Sequence, residues 1–81
     1  MLEDKIREIL ANHGKLPTRV DSLAKQDSLY DAGLTSHASV SVMIALEDMF
    51  DVEFPDELLE RATFGSIEAI ANALVELGVS S

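Results

Sequence analysis

Apolar residues return every three or four positions in three separate stretches of this chain, and that spacing limits what it can fold into. Leu2, Ile6, Ile9 and Leu10 follow the i, i+4, i+7, i+8 pattern of a core-facing helix. Val42, Met43, Leu46, Met49 and Phe50 share a second helical face, with Val40 near its margin. Ile67, Ile70, Ala71, Leu74 and Leu77 form a third inward stripe. No strand-like alternation persists anywhere. Helices with one apolar stripe each and no sheet to cover must bury those stripes against one another.

The residues between the stripes set the boundaries. Glu3 and Asp4 fall in the first turn of the first helix, where the helix dipole favours anions. Gly14 is its expected stop, in the left-handed conformation, with His13 in the last turn. The second helix is expected from Ser36 to Phe50, and Thr35 and Ser36 are both good N-cap types. Glu53-Phe54-Pro55-Asp56-Glu57 announces a third, short helix, with Glu57 and Arg61 paired four apart and Leu58, Leu59 and Ala62 facing inward. Gly65-Ser66 opens the last helix and Gly78 closes it. The expected fold is all-α: a small four-helix bundle of three longer helices and one short one. Its first connection, Lys15 to Thr35, is long and carries Pro17, Gly33 and several Ser and Asp residues. Leu16, Val20, Leu23, Leu29 and Leu34 are expected to pin that loop down, with a short helical turn from Asp21-Ser22 through Ala24. Tyr30 is expected to pack with its hydroxyl at the surface.

A chain of 81 residues suits one domain, residues 1–81. A chain of this size buries only about 60% of its unfolded surface. A docking surface is easier to build on so modest a core than a deep catalytic cleft. The net charge of −9 speaks against binding nucleic acid through phosphates. Between Lys25 and Arg61 there is no Lys or Arg, while Asp27, Asp31, Glu47, Asp48, Asp51, Glu53, Asp56, Glu57 and Glu60 fall there. Such a field attracts basic partner surfaces. There is no cysteine, so any thioester chemistry needs an imported thiol. No stretch approaches the ~20 apolar residues of a membrane span, and the charged start lacks the pattern of a secretory signal. A cytoplasmic monomer, with neither nucleic acid nor membrane as partner, is expected. No metal site is expected either. His13 has no partner histidine or cysteine cluster, and Asp27 to Gly33 lacks the alternating oxygen ligands of a calcium loop.

The informative run is Asp31-Ala32-Gly33-Leu34-Thr35-Ser36-His37, where an acidic loop turns into a helix with a serine at the junction. An ordinary N-cap is one reading of Ser36. Nucleophilic catalysis is a poor one. Ser36 and His37 are adjacent and point about 100° apart on a helix, a serine nucleophile needs its base in hydrogen-bond contact, and no G-x-S-x-G elbow is present.

The run resembles the attachment site of acyl carrier proteins, where a D-x-G-x-D-S-L pattern carries phosphopantetheine on its serine. Leu46-Glu47-Asp48-Met49-Phe50-Asp51-Val52-Glu53-Phe54-Pro55-Asp56-Glu57 is similar to the family's following L-E-[DE]-x-F-x-x-x-[IF]-P-[DE]-E stretch. The resemblance reaches Leu77 and implies a carrier rather than an enzyme. By it, a phosphopantetheinyl transferase attaches the prosthetic group to Ser36, making a phosphoprotein whose new thiol holds cargo as a thioester. The departures matter too. Thr35 and His37 replace the family's usual Asp and Leu or Met around the serine. Ala38, Ser39 and Ser41 replace the usual acids early in the second helix, which weakens the match to fatty acid synthesis partners. Ala32 to Val40, with Phe54-Pro55-Asp56, looks more like the small bacterial aminoacyl carrier proteins. That likeness implies glycine or alanine as cargo, loaded with ATP by a ligase similar to a class II aminoacyl-tRNA synthetase. A specialised carrier of fatty acid or polyketide type, served by acyl-transfer enzymes, is the alternative. An acidic helical adaptor is the non-carrier one. Thr35, His37, Val40, Ile44 and Glu47 are the candidate partner-facing residues around Ser36, with core packing the competing role for Val40.

Overall fold

The computed structural model describes residues 2–17 and 19–79, so Met1, in the expected charged start, lies outside it. Three α-helices carry the fold: α1 Leu2–His13, α2 Ser36–Phe50 and α3 Ile67–Glu76. Among the described residues there is no strand. α1 packs against both α2 and α3. Its buried stripe is Leu2, Ile6, Ile9 and Leu10, and the opposing stripes are Ala38, Val42 and Leu46 of α2 and Ile67, Ile70, Ala73 and Leu74 of α3. No helix of the described residues is long and apolar enough to cross a membrane.

The all-α expectation holds, but the short third helix does not form. Its place is taken by two 3-10 turns, Asp56–Leu58 and Arg61–Phe64, separated by Leu59 and Glu60, the latter in extended backbone (φ −122°, ψ 154°). A helix this short has little stability of its own, so packing decides its shape. Here the dominant contact is Phe64, which is buried and meets Phe54 edge-on at 5.4 Å between centroids. The break at Glu60 undoes the expected helical face. Leu59 is 46% exposed, Ala62 is exposed and only Leu58 is half-buried. The expected Glu57–Arg61 pair does not form either.

Two expectations about α1 and α2 also change. Gly14 is not left-handed. Its N–H continues the helix to Leu10 O at 2.8 Å, and the left-handed residue is Lys15 (φ 53°). Glycine is needed there for closeness, because a Cβ would stand 2.7 Å from Leu10 O. Met49 is 44% exposed rather than buried, and Met43 and Phe50 are half-buried, so the α2 core line runs through Ala38, Val42 and Leu46 instead. The end of α3 follows expectation. Gly78 is left-handed (φ 94°), and the bonds Gly78 N–H to Val75 O and Val79 N–H to Leu74 O close a Schellman motif.

The long connection is irregular but anchored at both levels. Val20, Leu29 and Leu34 are buried, and Leu16 and Leu23 pack partly against the core. The short helical turn spans Val20–Ser22, one residue earlier than expected. Backbone bonds from Leu29 N–H to Gly65 O (2.8 Å) and from Glu68 N–H to Lys25 O (3.0 Å) stitch the loop to the start of α3. Arg7 donates to Val20 O at 2.8 Å while paired with Glu3 at 3.1 Å, tying the loop to α1. This fixed loop delivers the chain to the start of α2.

Candidate functional site

The loop tightens just before α2. Gly33 has φ +117°, a conformation that favours glycine, and a Cβ on it would meet Pro17 Cδ at 2.5 Å. Its N–H bonds to Tyr30 O at 3.1 Å, and Leu34 N–H bonds to Leu29 O at 2.9 Å as the Leu34 side chain enters the core. Leu34 thus sets where the helix begins.

Thr35, not Ser36, is the N-cap. Its backbone is extended and its Oγ1 accepts the Ala38 N–H at 3.0 Å. Ser36 becomes the first helical residue and is exposed, with its Oγ in no hydrogen bond among the described residues. Of the first N–H groups of α2, that of Ala38 goes to Thr35 Oγ1 and that of Ser39 to Thr35 O. Those of Ser36 and His37 have no partner among the described residues, and they stand beside the positive end of the helix dipole. The Ser39 hydroxyl donates back to Ser36 O at 2.7 Å, which stiffens the first turn.

Ser36 opens onto a groove of about 460 Å³. Val40 and Met43 of α2, Leu59, Phe64, Tyr30 and Arg61 line it. The structure brings Ser36 and Val40 together here and leaves Val40 51% exposed, which removes core packing as its role. Ile44, 50% exposed, goes elsewhere. It lines a second groove between α1 and α2, with Ile9, Ala45 and Met49. His37 is exposed and lines neither groove. Glu47 is engaged within the chain, accepting the Phe54 N–H at 2.9 Å and so fastening the segment after α2.

Tyr30, Arg61 and Phe64 also line this groove, and no spacing pattern in the sequence marks them. Tyr30 donates its hydroxyl to Arg61 O at 2.8 Å and lies under the Arg61 guanidinium. One signal was available: Arg61 is the only Lys or Arg after Lys25. Among the described residues no group of three or more His, Asp or Glu side chains is placed to hold a metal.

Residues 4–74 match the family model described as a phosphopantetheine attachment site. The chain is 55% identical over 69 residues to an aminoacyl carrier protein of Agrobacterium fabrum, an alignment covering 85% of this chain and 83% of that protein. Solved structures are similar as well, and two of them share a subject. Both are crystal structures of an engineered Bradyrhizobium japonicum glycine:[carrier protein] ligase complexed with carrier protein from Agrobacterium tumefaciens. In the complex with ATP the matched chain is 50% identical with a TM-score of 0.91, covering 94% of this chain and 99% of that one. In the complex with AMP it is 52% identical with a TM-score of 0.88, covering 90% and 97%.

Proposed function

The chain belongs to the phosphopantetheine-attachment family, and we propose that it is an aminoacyl carrier whose arm is joined to Ser36. The observation that carries this reading is the idle, exposed Ser36 Oγ at the first residue of α2, with the capping work done by Thr35. The residues suit the group. The hydroxyl is unengaged, and two open backbone N–H groups beside it favour a phosphate oxygen. When bound, phosphopantetheine supplies the thiol that this cysteine-free chain lacks. Ser36 then serves only as the ester oxygen, so it needs no base of its own. Ser36 and His37, neighbours on one helix, are poorly disposed for catalysis, and the chain is read as carrying rather than catalysing. Residues 1–81 are read as one carrier domain, which the family match over 4–74 supports.

Small amino acid cargo is the reading that the relatives support, because the similar carrier chains sit with a glycine ligase and adenine nucleotide. The partners in that reading are a phosphopantetheinyl transferase and an ATP-using amino acid:carrier ligase. In this reading the candidate contacts are Thr35, His37 and Val40 near Ser36 and the exposed Ile44 in the separate groove between α1 and α2, with Glu47 bracing the helix from within.

Mass spectrometry tests the reading in two steps. Incubation with coenzyme A and the transferase adds one phosphopantetheinyl group to the wild type and none to Ser36→Ala. The holo-protein, given ATP, ligase and a panel of amino acids beside malonyl and fatty acyl donors, takes glycine or alanine as a hydroxylamine-labile thioester. Modification that survives Ser36→Ala overturns the site, and loading by the acyl donors alone overturns the cargo.

A further inference from the structure

We propose that Arg61 anchors the phosphodiester that joins the arm to Ser36. This rests on the carrier reading and adds to it a binding residue. Arg61 is the only Lys or Arg after Lys25, in a stretch rich in Asp and Glu. Yet among the described residues it forms no ion pair. The pairs that occur are Glu3–Arg7 and Arg19–Asp21. A lone cation surrounded in sequence by acids and paired with none of them is set aside by the fold.

Tyr30 is what sets it aside. The ring supports the guanidinium, whose Cζ lies 3.8 Å from the ring centroid, and the Tyr30 hydroxyl holds the Arg61 carbonyl at 2.8 Å. One side chain thus fixes Arg61 at both its backbone and its head. Cation–π stacking engages the face of the guanidinium and leaves the N–H donors at its edge open. Arg61 lines the same groove as Ser36, Ser39 and Val40. A phosphodiester on Ser36 brings a single negative charge and two free oxygens into that groove. A guanidinium fork matches such oxygens better than any other side chain. The rest of the groove near Ser36 is apolar or hydroxylic apart from Glu60, whose carboxylate repels the phosphate and leaves Arg61 as the attractive partner.

The test compares wild type, Arg61→Gln, Arg61→Lys and Tyr30→Leu, each in apo and holo form, with attachment verified by mass. Phosphorus NMR of the holo-proteins reads the phosphodiester directly. The resonance of Arg61→Gln is displaced from that of the wild type and narrower, reporting a freer group. Tyr30→Leu moves toward the Arg61→Gln position, and Arg61→Lys, which keeps the charge without the fork, lies between. Attachment raises the melting temperature of the wild type by about 2–5 °C, the scale of one exposed charge pair in a domain this small, and that of Arg61→Gln by less than half as much. Should Arg61→Gln fail to fold, the same comparison is made with Arg61→Lys. Coincident phosphorus resonances with equal apo-to-holo increments overturn the proposal. Absence of the mass gain in the wild type is a different failure, that of the carrier reading itself.

Discussion

Replacing Thr35 and Ser36 by alanine, one at a time, separates the residue that builds the start of α2 from the residue displayed there. Thr35 Oγ1 accepts the Ala38 N–H at 3.0 Å, and Ala38 is buried, so Thr35→Ala strands a donor at the edge of the core. Loss of such a cap costs about 1 kcal/mol, within a range of about 0.5–2. Ser36 Oγ has no bond to lose among the described residues, and alanine is the better helix former, so Ser36→Ala stays within about 0.5 kcal/mol of the wild type. In a domain of this size 1 kcal/mol moves the melting temperature by about 4–8 °C. Thr35→Ala therefore melts about 4–8 °C lower, and Ser36→Ala melts within about 4 °C of the wild type. Urea unfolding followed by circular dichroism gives the free energies, with an unchanged slope showing that only stability moved. The double variant supplies a further check. If Ser36 slides into the capping role once Thr35 is gone, the double variant loses more than the two singles combined. A Ser36→Ala loss as large as that of Thr35→Ala refutes the reasoning, because the hydroxyl would then belong to the scaffold.

Gly33→Ala meets both a left-handed backbone and a 2.5 Å approach to Pro17 Cδ. It should cost about 2–4 kcal/mol from strain and overpacking together, read by urea unfolding, and Pro17→Ala in the same chain should return only the steric part. Asp51 ends α2 at φ 54°, ψ 50°, with an anion at the negative end of the helix dipole. Asp51→Gly should raise stability by about 0.5–1 kcal/mol, seen as a higher melting temperature. At net charge −9, with two ion pairs among the described residues, repulsion outweighs pairing. Raising salt from low to about 0.1 M, where the screening length is ~10 Å, should increase the melting temperature, and a steady fall would contradict the charge argument.

The three long helices were legible because each has an apolar period of three to four and ends at recognisable punctuation. Ser36–Phe50 follows the expected bounds to the residue, and Ser66 caps α3 by accepting the Ala69 N–H at 3.0 Å. The segment from Pro55 to Phe64 was not legible. Its Pro-Asp-Glu opening has the local chemistry of a helix start, but the burial of Phe64 against Phe54 is a tertiary contact that no local pattern encodes. The same limit explains Gly14. Composition marks it as a stop, and only coordinates show that the glycine is needed beneath Leu10 O while Lys15 takes the left-handed turn. Met49 satisfied the period but lies on the flank of α2, outside the line through Ala38, Val42 and Leu46 that the core covers.

The run around Ser36 drew attention to the start of α2 but could not divide the labour within it. Thr35 and Ser36 are equally competent caps by composition. Leu34 breaks the tie, because its burial fixes the phase at which the chain enters α2 and leaves Thr35 with the extended backbone a cap requires. That division has a functional consequence. In the proposed carrier reading, Ser36 must be held in a constant place for the enzymes that modify it, yet take no part in holding the fold, or each modification would loosen the protein. Neighbouring residues meet the two demands separately. Thr35 closes the helix start, the Ser39 hydroxyl braces Ser36 through its carbonyl alone, and the Ser36 Oγ stays chemically spare. Esterifying that oxygen removes no hydrogen bond that the described structure contains.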